Sequence, residues 1–311
     1  MRAFIFSGQG SQSVGMGTAL AAASPTARAV FQEVDDALGQ HLFRLMTEGP
    51  EADLELTENA QPAIMANAIA TLRVLEQEGG VRLADTADYV AGHSLGEYTS
   101  LCAAGAIDLA TTARLLKHRG LAMQAAVPVG IGAMAVLLGA DLTMARAIAE
   151  AAAAGETCTV ANDNDPSQVV ISGHRGAIER AVALAKDMGA KRALLLQVSA
   201  PFHCPLMQPA AEAMEKALAE ARIDAPLVPL FANITAAPVA DADTIRRLLV
   251  EQVTGMVRWR ESVLAMYAAG VERFVEFGGK VLTPMVKRIA PDATGTSVVT
   301  MDDVEALVKV L

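Results

Sequence analysis

Five consecutive residues, Gly92-His93-Ser94-Leu95-Gly96, spell G-x-S-x-G, a pattern in which a serine hydroxyl can act as a nucleophile. The pattern gains meaning from its flanks. A short apolar run, Tyr89-Val90-Ala91, reads as a strand, and a helical pattern begins at Leu95. A strand that turns sharply into a helix needs glycines at the turn, and it pushes the serine hydroxyl out beyond the end of the sheet. The helix start also supplies backbone N–H groups that have no partner within the helix and can face an oxyanion. The competing reading is a turn serine that only caps the helix.

A serine needs a base to remove its proton. The histidines are His41, His93, His118, His174 and His203. His93 adjoins the serine but points elsewhere at such a turn and reads as packed. His41 and His118 fall on helical patterns, and His174 follows a strand. His203 sits in Ser199-Ala200-Pro201-Phe202-His203-Cys204-Pro205, where two prolines stiffen the backbone. Spacing favours His203 and leaves the others open.

These groups must be held by elements that can be read from apolar periodicity. Strands are expected at Ala3 to Phe6 and Tyr89 to Ala91, with helices over Pro25 to Leu38, Gln61 to Leu75 and Ala110 to Gln124. From 129 to 199 the order changes to strand, helix, strand, strand, helix, strand. A polar run at Asn162 to Pro166 is read as a loop between the second and third of these strands. That βαββαβ order is the split pattern of a ferredoxin-like module. The expected fold is α/β: an α/β-hydrolase-like core with a parallel sheet (1–128 and 200–311), plus an inserted ferredoxin-like subdomain (129–199). The competing arrangement is one continuous sheet of alternating units. After Ala200, strands are expected near Val228 to Phe231, Arg273 to Phe277 and Ser297 to Thr300, and helices near Ala242 to Val253 and Arg260 to Ala269.

The composition excludes several classes. The chain has 311 residues, 52% apolar and 19% charged, which suits a packed core rather than a disordered polymer. A net charge of −10 argues against general nucleic-acid binding. No apolar run approaches the roughly 20 residues of a membrane span. The N-terminus lacks the features of a secretory signal, so a cytoplasmic protein that neither spans nor binds membrane is expected. Three cysteines without a C-x-x-C spacing, Cys102, Cys158 and Cys204, suggest neither a disulfide framework nor a metal site. No metal and no cofactor is expected.

Taken together, several segments resemble the bacterial malonyl-CoA:acyl-carrier-protein transacylases that serve fatty-acid synthesis. They are Gly8-Gln9-Gly10-Ser11-Gln12, Gly92-His93-Ser94-Leu95-Gly96-Glu97-Tyr98, Lys117-His118-Arg119-Gly120, Gln168-Val169-Val170-Ile171-Ser172-Gly173, and Pro201 to Leu206. The resemblance covers essentially the whole chain. It implies a ping-pong acyltransferase with malonyl-CoA and acyl carrier protein as partners, acting as a monomer. Ser94 would be the acylated nucleophile and His203 its base. Gln9 and the backbone N–H of Leu95 would form the oxyanion hole. Arg119 would hold the malonyl carboxylate by a bidentate, charge-assisted contact. The Gln252 carbonyl would orient the histidine in place of a triad acid, and Phe202 would narrow the acyl pocket. Two departures from the family pattern stand out. Ser7 occupies the place of a proline before the Gly-Gln-Gly run, which bears on the turn that aims Gln9. The Gly278-Gly279-Lys280 loop is one residue short.

An acidic carrier needs a local basic surface on this acidic chain. The paired cations Lys191-Arg192 and Lys287-Arg288 are the candidates, with scattered solubilising charge as the alternative. An esterase or thioesterase is the nearest competing function, but no HGGG-type oxyanion loop is present. Dinucleotide binding at Gly8-Gln9-Gly10 is disfavoured because Ser13 stands where the fingerprint requires glycine. Transfer to a polyketide or malonate-decarboxylase carrier differs only in the acceptor.

Overall fold

The computed structural model describes residues 1–311. Ten strands form two separate sheets. They are β1 (Arg2–Phe6), β2 (Tyr89–Gly92), β3 (Gly132–Leu138), β4 (Cys158–Asp165), β5 (Gln168–His174), β6 (Arg192–Leu195), β7 (Leu230–Ala232), β8 (Ala237–Val239), β9 (Arg273–Phe277) and β10 (Thr294–Val298). The larger sheet has the order β10-β9-β1-β2-β7-β8 and is parallel apart from the β7–β8 pair. The smaller sheet, β4-β5-β3-β6, is antiparallel throughout. The two sheets rule out the reading of one continuous alternating sheet.

β1 explains why the larger sheet is central. Its residues Ala3, Phe4, Ile5 and Phe6 are all fully buried, as expected for a strand covered on both faces. Phe4 and Phe6 point to the side where the Thr57–Gln77 and Leu109–Ala125 helices pack. Ala3 and Ile5 point to the other side, against Trp259, Val263 and Met266 of the Trp259–Ala268 helix. Alternation also sets the role of the smaller sheet. Ala133, Ala135 and Leu137 of β3 pack on the alanine-rich helices Leu142–Ala153 and Arg175–Ala185, whereas Met134 and Val136 face the core of the larger sheet.

Most expected elements form within a few residues of their expected ends, and four differences are informative. The polar run Asn162–Asp165 is not a loop but the bulged end of β4, and it is buried. Its two carboxylates and the Asn164 amide oxygen are engaged. Arg260 donates Nε to both oxygens of Asp163 at 3.1 and 3.0 Å, Arg288 donates to Asp165 at 2.8 Å, and Asn164 pairs with His93. Alternation of polarity therefore fails as a strand signal here, because ion pairs from the larger unit replace water. Secondly, the Gln208–Glu220 helix, with Ala210, Ala211, Met214 and Leu218 buried on one face, forms in a segment for which no element is expected. Thirdly, β10 spans Thr294–Val298, earlier than the expected Ser297 to Thr300, because Thr300 caps the last helix. Finally, β8 is a short edge strand with no apolar alternation.

Candidate active site

The parallel strands deliver the site. Gln9 follows β1, Ser94 follows β2 and Asn233 follows β7, all at the carboxyl ends where α/β sheets place their ligands. Between β2 and the Gly96–Ala103 helix the chain turns so tightly that Ser94 takes φ 54°, a left-handed value that costs a non-glycine residue energy and persists only when its surroundings enforce it. Gly92 permits the turn: a Cβ there would lie 1.9 Å from the carbonyl carbon of Gly96. Asn233 clamps it, accepting from Ser94 N at 2.8 Å and donating to Gly92 O at 2.7 Å.

The Ser94 hydroxyl donates to His203 Nε2 at 2.8 Å, and His203 Nδ1–H donates to the Gln252 carbonyl at 2.9 Å. That second bond fixes the tautomer and leaves Nε2 as the acceptor. His203 also sits at positive φ, 57°, between its two prolines. Burial first, and the Arg119 cation second, push its pKa down to about 3, so the ring is a neutral base across the physiological range. The ordinary value near 6.5, from which a sequence reading starts, does not apply at this position.

Arg119, on the Leu109–Ala125 helix, is 1% exposed at the base of the cleft. Its Nη2 donates to Ser94 Oγ at 3.1 Å and to Gln252 Oε1 at 2.8 Å, and its Nη1 donates to Gln61 Oε1 at 2.8 Å. The guanidinium lies 5.7 Å from the centre of the Tyr98 ring, and its Nε has no partner. No carboxylate forms an ion pair with it. The backbone N–H groups of Gln9 and Leu95 donate to no protein acceptor, which leaves both available beside the serine. The Gln9 side chain is turned away, donating to Thr57 Oγ1 at 3.3 Å.

These groups line one cleft of about 300 Å³, walled by Met123, Met134 and Phe202 and mouthed by Gln12, Glu55 and Leu196 to Val198. Ser94, His203, Arg119, Gln9, Leu95 and Phe202 therefore meet at one place, with Gln252 behind them. The basic pairs do not join them. Lys191 and Arg192 lie exposed at the start of β6, Arg192 pairing with Leu138 at the end of β3 away from Met134. Arg288 is engaged with Asp165, and Lys287 Nζ donates to the Pro291 carbonyl at 2.5 Å.

Both departures have a local explanation. Ser7 Oγ donates to the buried Glu276 carboxylate at 2.5 Å, and that carboxylate also accepts from the backbone N–H groups of Val281, Leu282 and Thr283, capping the Leu282–Ile289 helix. The hydroxyl thus anchors the turn before Gln9 where a proline ring would have stiffened it. The shortened loop packs Gly278 against the Thr57–Gln77 helix and leaves Lys280 exposed, outside the cleft. Two site residues carry no clear signal in the sequence. Asn233 lies in an unremarkable Ala-Asn-Ile-Thr stretch, and only its place after a strand marks it. Glu97 is visible as part of the elbow segment but has no role that spacing reveals.

The acyl transferase domain family matches residues 3–287, and the chain belongs to that family. Among its relatives, the malonyl CoA-acyl carrier protein transacylase of Escherichia coli K12 is 45% identical over 296 residues, covering 95% of this chain and 94% of the relative. An acyl-carrier-protein S-malonyltransferase from Bartonella henselae superposes with a TM-score of 0.97 at 51% identity, covering 99% of this chain and 98% of that one. A malonyl-transacylase solved in complex with a type II PKS acyl-carrier protein superposes with a TM-score of 0.96 at 39% identity, covering 100% and 99%.

Proposed function

We propose that this chain transfers malonyl from malonyl-CoA to the phosphopantetheine thiol of acyl carrier protein, through a malonyl ester on Ser94, in the supply of fatty-acid synthesis. The observation that carries this reading is Arg119: a buried cation 3.1 Å from the Ser94 hydroxyl and paired only with neutral amides. A buried cation with no carboxylate in contact is expensive, since Glu97 reaches it only across the Gln252 amide, and a substrate carboxylate lowers that expense. The names of the relatives agree with it, and one neighbour is a transacylase held by its carrier.

In the first half-reaction His203 Nε2 takes the Ser94 proton while Oγ attacks the thioester carbonyl. Negative charge develops on the carbonyl oxygen, where the Gln9 and Leu95 N–H groups would receive it. Losing one such donor typically costs about 100- to 1,000-fold in rate. Collapse breaks the C–S bond, and the departing CoA sulfur takes the proton from His203. The carrier thiol then repeats the sequence in reverse. The malonyl carboxylate on Arg119 neutralises one of the three causes that depress His203, burial and His93 being the others, so the base strengthens when the right donor is bound. Phe202 closes the pocket beside the acyl carbon.

The strand order of the smaller sheet, with both helices on one face, supports the ferredoxin-like description of 129–199 inserted into an α/β-hydrolase-like core (1–128 and 200–311). Lys191 and Arg192, exposed and without ion pairs, are the better of the two carrier-docking candidates. The fold contains no helix long and apolar enough to cross a membrane, and the proposed setting is the cytoplasm. The direct test is to mix the protein with malonyl-CoA alone and weigh it. One malonyl increment is expected, located on Ser94 and absent from Ser94→Ala. An adduct surviving that substitution would show the nucleophile to be elsewhere.

A further inference from the structure

Glu97 is a buried carboxylate, 1% exposed, one helical turn beyond the nucleophile, and the transfer steps above give it no part. Its surroundings give it one. Oε1 accepts from the Asn233 backbone N–H at 3.0 Å, and Oε2 accepts from Gln252 Nε2. The same Nε2 also donates to the Ser94 carbonyl at 2.9 Å. On the opposite side of the amide, Gln252 Oε1 accepts from Arg119 at 2.8 Å, and the Gln252 main-chain carbonyl aims His203. Gln252 thus touches the nucleophile, the base and the cation at once.

The orientation of that amide decides what it can hold. A glutamine side chain has one acceptor end and one donor end, and the two nearly isosteric orientations are chosen by the partners. Arg119 offers only donors, so Oε1 must face it. That orientation leaves two N–H donors on the other side: the Ser94 carbonyl takes one, and the second needs a pure acceptor where Glu97 stands. An ionised carboxylate is one. A protonated carboxyl is not, because it would set a donor against either Asn233 N–H or Gln252 Nε2. Turning the amide over to meet such a proton would set Nε2 against the guanidinium.

We infer that Glu97 is a positioning residue which, in its ionised form, fixes the Gln252 amide and through it the setting of Arg119 for a carboxylate-bearing acyl group. This rests on the reading that Arg119 binds the malonyl carboxylate. It assigns selectivity to a residue that never touches substrate. Burial raises the Glu97 pKa to about 7, against the lowering pull of Asn233, Gln252 and Arg119. The titratable groups coupled to it are Arg119 from the Leu109–Ala125 helix and Tyr98 from its own. Its other partners, Gln252 and Asn233, are neutral. Loss of the ionised form therefore falls in the neutral range: as pH drops through about 7, Glu97 gains a proton and the hold on Arg119 weakens.

The experiment measures kcat/KM for malonyl-CoA and acetyl-CoA with the wild-type protein, E97Q, R119A and the double variant, from about pH 5.5 to 8.5. The readout is the malonyl-to-acetyl ratio. Phosphate groups of CoA titrate near 6 in both donors and cancel in that ratio. Glu97→Gln should lower the ratio about 10- to 100-fold, the scale of a lost hydrogen bond to a charged group. The wild-type ratio should fall with pH through about 7, and the E97Q ratio should be flat. In the R119A background the second substitution should change the ratio no further, since both act on one contact. If R119A leaves the ratio intact, the carboxylate reading itself is wrong. If R119A collapses the ratio while E97Q keeps both the wild-type ratio and its pH profile, Glu97 is only structural. Should E97Q fail to fold, the wild-type profile decides alone, and a ratio flat across the range overturns the inference.

Discussion

Two regions of this molecule set arginine against buried polar groups, and they do it in opposite ways. At the junction of the sheets, Arg260 and Arg288 meet the fully buried carboxylates of Asp163 and Asp165 at 2.9 and 2.8 Å. Charge meets charge, and main-chain bonds from Asp163 N–H to the Val257 carbonyl and from Val257 N–H to the Ala161 carbonyl complete the seam. In the cleft, Arg119 is more deeply buried yet meets only the amide oxygens of Gln61 and Gln252 and the Ser94 hydroxyl. The first arrangement is finished and joins the two sheets. The second leaves a cation with no carboxylate in contact, the place the proposed malonyl carboxylate would fill. Buried charge alone does not mark a functional site; buried charge with no opposite charge in contact points to one.

The comparison can be broken most strongly at Arg119. Arg119→Ala should cut kcat/KM for malonyl-CoA by at least roughly 100-fold more than for acetyl-CoA, because only malonyl brings a carboxylate to leave unpaired. Equal losses with both donors would make Arg119 another structural charge. The seam should behave in the reverse manner. Asp163→Ala leaves Arg260, itself 26% exposed, without its partner. We expect a loss of about 2 to 3 kcal/mol in unfolding free energy, somewhat below the cost of breaking a fully buried pair, with the malonyl-to-acetyl ratio unchanged. Urea titration and the two rate constants check both halves. A changed ratio would mean that the seam sets the shape of the cleft.

Within the cleft two buried groups oppose each other as pH falls: Glu97, raised to about 7, takes up a proton in the fold and favours it, while His203 disfavours it. His203 is held neutral in the fold, with its pKa depressed to about 3. Below pH 6.5 the unfolded chain binds a proton on this ring that the folded chain refuses, so the contribution of His203 to unfolding free energy declines as pH falls from about 6.5 toward about 3. Between pH 6.5 and 5 this one group accounts for about 2 kcal/mol. Comparing denaturant midpoints at pH 7 and pH 5, the change should be less favourable to the fold in wild type than in His203→Gln, since the Glu97 contribution is common to both. Identical changes would mean that the ring is protonated in the folded protein.

The contrast also explains what was legible in the sequence. The elbow reads well because glycine at both flanks of Ser94 is a steric necessity, recorded in residue type. Phe4 and Phe6 against Ala3 and Ile5 read as a buried strand for the same reason. His203 could be favoured from its prolines, but its partner carbonyl could not, since a main-chain acceptor leaves no trace in residue type. The Asn162–Asp165 strand was illegible because its partners, Arg260 and Arg288, lie about 100 residues further along the chain. Polarity there reports long-range pairing, not solvent. Glu97 and Asn233 are hidden in the same way: each acts by hydrogen bonds to segments that only the fold brings near.

The smallest effect is expected on the outer surface, where charges are neither paired nor buried. Lys191 and Arg192 are exposed at the start of β6, whose following residues Leu194, Leu195 and Leu196 are also exposed and lead to the cleft mouth. A carrier protein delivers its thiol on a flexible arm, so it needs to dock near the mouth and not within it. Exposed charge pairs are screened over about 10 Å at 0.1 M salt and steer encounter more than they hold a complex. Reversing both charges should therefore raise the apparent KM for carrier a few-fold. The acylation of Ser94 by malonyl-CoA should stay nearly intact, and rising salt should slow carrier transfer more in wild type than in the variant. Reversal at Lys287 and Arg288 should differ, because Arg288 holds Asp165: it should cost stability as well. If the first reversal leaves both the carrier KM and its salt dependence untouched, Lys191 and Arg192 are solubilising charges, and the apolar edge of β6 must guide the carrier without them.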